Sequence, residues 1–275
     1  MNFVRRPVVA GRFYPSSAGE LEREIRGHLA LATPLETTPL AALCPHAGTV
    51  YSGGTAGRLI GAIRELPDTV ILLGPNHTGQ GQAVAVDPHD AWETPLGAVA
   101  LHGPLRERLL NLGPEWIAAD ADAHRREHSL EVQLPFLQCR RPEVRILPVC
   151  LGFHEYLPAV ELARLLVQAA DDVCGRGKYL IIASTDMSHF HPEKTAQRLD
   201  HAALEPFLAL DPGRAWETVT PRDISMCGVV PAVCALNAAL LQGASRARLI
   251  HYTTSMEASG DASSVVGYAA MVFTA

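Results

Sequence analysis

Three stretches of the chain end an apolar run with a histidine. They are Leu43-Cys44-Pro45-His46, then Val70-Ile71-Leu72-Leu73-Gly74-Pro75-Asn76-His77, and Ile181-Ile182-Ala183-Ser184-Thr185-Asp186-Met187-Ser188-His189, the last carrying a carboxylate as well. A neutral imidazole ligates transition metals and moves protons near neutral pH. A fourth candidate is Cys227, which stands beside Gly228 at the mouth of a predicted helix, whereas Cys44, Cys139, Cys150, Cys174 and Cys234 are scattered through apparent core segments. A helix N-terminus lowers a thiol pKa, and thiolate is both the nucleophilic and the metal-binding form. His128 with Glu131 is a candidate pair in which a carboxylate orients an imidazole, plain surface charge being the alternative. Taken singly, each histidine could equally cap a strand or bond a carbonyl; as a set they point to one place. His89 and His102 read as ordinary loop or strand histidines.

The elements that must position this set follow from the pattern. Strands buried on both faces read as continuous apolar runs, and in open α/β sheets ligands gather outside the carboxyl ends of such strands. Strands are predicted at 40–44, 69–73, 84–86, 144–149, 179–183, 247–253 and 265–273, with a hairpin about Pro95-Leu96-Gly97. Helices are predicted at 17–31, opened by Ser17 and Glu20 at capping-box spacing, and at 55–66, 104–112, 157–170, 194–210 and 212–219. A long apolar helix is predicted to begin in Ile224–Pro231 and run to Leu241, and Pro135 is expected to kink a helix after His128 or make it begin late. Residues 5–14 read as an irregular leader, 47–54 as a glycine-rich turn whose glycines let backbone approach His46, and 256–264 as a loop. The alternation predicts an α/β fold with a central mixed, largely parallel sheet flanked by helices, forming one domain over 1–275.

Composition narrows the partners. With 48% hydrophobic and 19% charged residues among 275, the chain has material for a sizeable core. A net charge of −6 with no basic run longer than a pair gives no nucleic-acid footprint, so a small-molecule, metal or protein partner is expected. No long apolar h-region follows the N-terminal basic pair Arg5-Arg6, no stretch reaches the length of a membrane helix, and the cysteines lack CxxC spacing, so a cytoplasmic protein with reduced thiols is expected.

Pro45-His46-Ala47-Gly48, Gly74-Pro75-Asn76-His77, Glu127-His128-Ser129-Leu130-Glu131, Ser184-Thr185-Asp186-Met187-Ser188-His189 and Met226-Cys227-Gly228, in this order, strongly resemble the Memo family, whose bacterial and archaeal members are called AmmeMemoRadiSam system protein B. The resemblance runs from about Arg6 to Val266-Gly267-Tyr268-Ala269-Ala270. It implies a fold similar to the class III extradiol non-haem iron dioxygenases, with His46, His77 and Cys227 as metal ligands, His189 as acid/base, and Asp186 and His128 lining the pocket. Cys227 stands where those enzymes have a carboxylate. A thiolate moves metal preference from a plain 2-His-1-carboxylate iron site toward zinc, copper or thiolate-ligated iron. The family also implies a functional link to a radical SAM protein and an AMMECR1-like protein.

Four functions are consistent with these residues. The first is an oxidoreductase using one iron or copper ion and dioxygen. The second is a noncatalytic metal carrier, or a pocket for a peptide or small ligand. The third is a zinc hydrolase. The fourth is metal-free chemistry in which Cys227 is the nucleophile, His189 or His46 the base and Asp186 the orienter. Tyr51, Met187, Phe190 and Met226 are candidates for an apolar lining, each also a candidate for the core.

Overall fold

Strands and helices alternate in the computed structural model of the chain, which describes residues 3–221 and 224–275. The strands are β1 (Val4–Arg5), β2 (Ala41–Cys44), β3 (Thr69–Pro75), β4 (Val84–Val86), β5 (Ala91–Thr94), β6 (Gly97–Ala100), β7 (Ile117–Ala119), β8 (Arg145–Leu151), β9 (Tyr179–Ser184), β10 (His189–His191), β11 (Arg246–Thr254) and β12 (Val265–Thr274). The α-helices are α1 (Ala18–Leu29), α2 (Thr49–Ala62), α3 (Gly103–Leu112), α4 (Leu134–Arg140), α5 (Tyr156–Cys174), α6 (Glu193–Leu208), α7 (Pro212–Val219), α8 (Val229–Leu241) and α9 (Met256–Ser259).

One sheet runs in the order β10-β12-β2-β9-β3-β8-β4-β7, with β11 paired to β12. Its centre, β2-β9-β3-β8, is parallel, and β12 and β4 flank that centre antiparallel. The sheet is therefore mixed and largely parallel at its heart, as the sequence predicts. Period-2 alternation divides the core in two. Leu43, Ile71, Leu147 and Ile181 pack with Leu162 and Leu166 of α5 and Val233 and Leu236 of α8. Ala42, Leu72, Ile146 and Leu180 pack on the other face with α1, α2 and α4. Burying each large aliphatic side chain contributes about 1.5–3 kcal/mol, and this fixes the strand ends in space.

Three departures from the sequence reading have physical causes. Helix α2 begins at Thr49, so Gly53 and Gly54 lie inside it. A Cβ on Gly53 would stand 2.6 Å from the His28 ring, and one on Gly57 would stand 2.5 Å from the His28 backbone. These glycines let α2 approach α1; they do not bring backbone toward His46. Secondly, β1, β7 and β10 have two or three residues each, too short to show a period. Thirdly, Met256–Ser259 forms a single helical turn inside the expected loop. Pro135 falls in the first turn of α4, which does begin late. Ser17 holds the N-cap position of α1, but its side chain makes no capping bond. Among the described residues no helix is long and apolar enough to cross a membrane.

Candidate metal centre

Strands β2, β9 and β3 are neighbours, with β9 in the middle, so their carboxyl ends deliver His46, Asp186 and His77 side by side, and His189 follows at the start of β10. Cys227 comes from the segment ahead of α8. There Gly228 lies so close to the end of β9 that a Cβ would stand 2.5 Å from both the Ser184 carbonyl oxygen and the Thr185 Cβ. The Gly228 N–H donates to Thr185 Oγ1 at 3.0 Å, which pins the thiol over the strand. Ligand atoms of His46, His77 and Cys227 all lie within 4.8 Å of one another, and His46 Nε2 is 3.4 Å from Cys227 Sγ.

The hydrogen bonds decide which nitrogen of each ring is free. Ser184 Oγ gives its only proton to the Ser129 carbonyl at 2.6 Å and accepts from Gln133 Nε2 at 2.9 Å. At 2.9 Å it must therefore accept from His46 Nδ1 as well, which leaves the His46 Nε2 lone pair facing the thiol. His77 Nδ1 lies 2.9 Å from Glu127 Oε1 and donates to it, so in the neutral ring His77 Nε2 is likewise free. Burial, helped by His77 and His128, holds the His46 pKa well below its usual value, so the ring is a neutral donor. His77 is raised: burial works against its cation, but the hydrogen bond and charge of Glu127 outweigh it.

Cys227 differs from the sequence expectation. Burial first, and then the Asp186 carboxylate, push its thiol up, so the helix end does not make it a thiolate. The Asp186 N–H points at its sulfur from 3.3 Å. The donor set fits a transition metal: about 3.5 Å is the N···S separation of ligands at about 2.0 Å and 2.3 Å around a tetrahedral ion. A cation would also supply the charge that lets the thiol ionise.

Glu127, buried and silent in the sequence reading, is the orienting carboxylate. Its Oε1 accepts from His77 Nδ1 and from the backbone N–H groups of His128 and Ser129, and its Oε2 accepts the His77 N–H at 2.6 Å. Burial opposes its charge, but these bonds and the two imidazoles bring its pKa down to about 2. The predicted pairing of His128 with Glu131 is not made. Glu131 is fully buried and accepts from Arg5 Nη1, the N–H groups of Val8 and Val9, and the Tyr14 hydroxyl. His128 instead stacks on His77, with ring centroids 4.7 Å apart, and touches Phe13. His77, Glu127 and His128 also have ligand spacing. The Glu127 oxygens are already taken by hydrogen bonds, so this group supports the first set.

His189 Nδ1 donates to the Ser225 carbonyl at 2.8 Å and its N–H donates to Ser225 Oγ, so its Nε2 too is free. Burial holds its pKa below the usual value. The preceding Ser188 N–H is held by Asp200, whose other oxygen accepts from the Tyr252 hydroxyl. Gly267 passes so close to Asp200 that any Cβ there would overlap the carboxylate. Asp186 accepts the His46 N–H at 2.8 Å, and burial pushes its carboxyl up to about 7. Met187 and Met226 belong to the core, whereas Tyr51 and Phe190 are exposed; Phe190 stands in the left-handed region at φ 63°.

Residues 5–272 match the family described as Memo-like protein. A MEMO1 family protein of Aquifex aeolicus is 41% identical over 271 residues, covering 98% of this chain and 99% of its own. One of Methanosarcina barkeri is 41% identical with the same coverage. Among solved structures, an uncharacterized protein of Escherichia coli K12 aligns with a TM-score of 0.53 at 14% identity, covering 86% of this chain and 100% of its own, a likeness of fold alone.

Proposed function

The chain belongs to the Memo family, and from that premise we propose that His46, His77 and Cys227 hold one iron or copper ion for redox chemistry with dioxygen. The observation that carries this reading is the hydrogen-bond arrangement. Both ring Nδ1 protons are committed, to Ser184 and Glu127, so two Nε2 lone pairs are left beside one sulfur. When bound, the ion would supply one-electron chemistry and an open position for dioxygen or an organic substrate. His189 takes or returns a proton at Nε2, being neutral near pH 7 and fixed by Ser225. Asp186, with a carboxyl near 7, accepts the His46 N–H and can exchange a proton close to neutrality. His128 lines the pocket between His77 and Phe13.

Anaerobic titration with Fe(II) and with Cu(I), followed by oxygen-uptake measurements, tests this reading. Saturation at one equivalent with metal-dependent oxygen consumption is expected; failure to bind either ion would overturn it. A second reading is a metal carrier without catalysis. The openness of His77, whose side chain is 34% exposed, favours it, because an accessible ligand suits metal exchange. That reading predicts rapid transfer of the ion to a competing chelator and no oxygen uptake.

A further inference from the structure

Segment 124–131 carries Glu127 and His128, yet between β7 and the 3-10 turn at Glu131–Gln133 it has no regular structure to hold it. Besides contacts to Ala85, His77, Pro75 and Ser184, one side chain from the far end of the sequence holds it. Arg5, 3% exposed, donates from Nε to the His124 carbonyl at 2.7 Å, from Nη2 to the Glu127 carbonyl at 2.7 Å, and from Nη1 to Glu131 Oε2 at 2.6 Å. Its guanidinium lies 4.0 Å over the Trp92 ring, so the fork is also fixed in plane. Glu131 neutralises the buried cation and latches the leader through Val8, Val9 and Tyr14. Of these contacts, only those of Arg5 reach both the latch and Glu127.

We propose that Arg5 is a positioning residue for the metal centre. By fixing the Glu127 carbonyl it sets the Glu127 carboxylate against His77 Nδ1 and so keeps the imidazole proton off the metal-binding nitrogen. The role needs arginine: three donors must reach three acceptors in one plane, which an ammonium on a flexible stem does not do. Its effect on metal affinity rests on the metal-binding reading above, whereas its effect on the His77 tautomer belongs to the metal-free protein.

Three variants of the full chain test this: Arg5→Lys, Arg5→Met and Tyr14→Phe. The last removes one bond of the latch without touching Glu127. Arg5→Lys keeps a charge beside Glu131 and serves alone if Arg5→Met does not fold. Two quantities are read: the nitrogen-15 shifts of the His77 ring in metal-free protein, and Co(II) affinity from the thiolate-to-metal absorption band. Above the raised His77 pKa, where the ring is neutral, wild type and Tyr14→Phe should show the Nδ1–H tautomer. The Arg5 variants should show a mixed population, with Co(II) affinity down about tenfold or more, while Tyr14→Phe stays within about twofold at comparable melting temperature. A wild-type tautomer in Arg5→Lys, or equal losses in Arg5→Lys and Tyr14→Phe at equal stability, would make Arg5 plain scaffold and overturn the inference. If wild type takes up no Co(II), the metal reading fails and the tautomer comparison still decides the role of Arg5.

Discussion

Replacing Glu127 by Gln removes the charge on which one side of the centre depends. The side chain is 1% exposed, and its carboxyl titrates at about 2 instead of an ordinary 4.5. At about 1.36 kcal/mol per pH unit, that depression corresponds to about 3 kcal/mol of folding free energy at pH 7. The rise at His77 is the other half of the same interaction and is not added to it. The folded value lies below the unfolded one, so the contribution is complete above pH 4.5 and is lost as pH falls toward 2. Urea unfolding of the metal-free proteins should show Glu127→Gln less stable by about 3 kcal/mol at pH 7, the gap shrinking to less than half by about pH 3. Metal affinity should fall in parallel by about 10- to 100-fold, as for the loss of a carboxylate behind a ligating histidine. Equal stability at pH 7, or a gap that does not narrow on acidification, would refute the assignment of Glu127 as the charged partner of His77.

Other perturbations follow from close contacts and burial. Gly267→Ala forces a methyl into the Asp200 carboxylate and should cost several kcal/mol, about the upper end of overpacking effects; a melting temperature within 2 °C or so of wild type would contradict the packing described. Gly57→Ala, which meets the His28 backbone, should loosen α1 from α2 at about 1–3 kcal/mol, read by chemical denaturation with metal affinity nearly unchanged. Iodoacetamide should modify Cys227 slowly at pH 7 in metal-free protein and faster as pH rises, because burial keeps the thiol protonated; rapid modification at neutrality would revive the nucleophile reading. Phe190→Gly should cost no stability, since the exposed ring gives little packing and glycine relieves about 1 kcal/mol of left-handed strain; a loss above about 1 kcal/mol would refute this.

Much of the centre was legible because buried parallel strands must present their polar ends together. The runs before His46, His77 and His189 announce three such ends, and the sheet order β2-β9-β3 makes them adjacent. Cys227 was legible by type and by its glycine neighbour, but its protonation was not, because the opposing effect is burial by chain far away in sequence. The same limit hid Glu127: its partner His77 lies 50 residues earlier, and no spacing rule links them. Glu131 was misassigned for the converse reason. Its nearness to His128 suggested a pair, whereas its true partners, Arg5 and Tyr14, lie in the leader, more than 100 residues earlier. The start of α2 was misplaced because glycines that suggest a turn serve here as clearance for a neighbouring helix.

Elemental analysis of protein purified without oxygen or chelators, alongside Cys227→Ala and His77→Ala, bears most directly on the metal centre. The proposed centre of His46, His77 and Cys227 predicts about one equivalent of iron or copper in the wild type, lost in both variants. No metal in the wild type even after anaerobic reconstitution, or the same metal content in all three proteins, would contradict it.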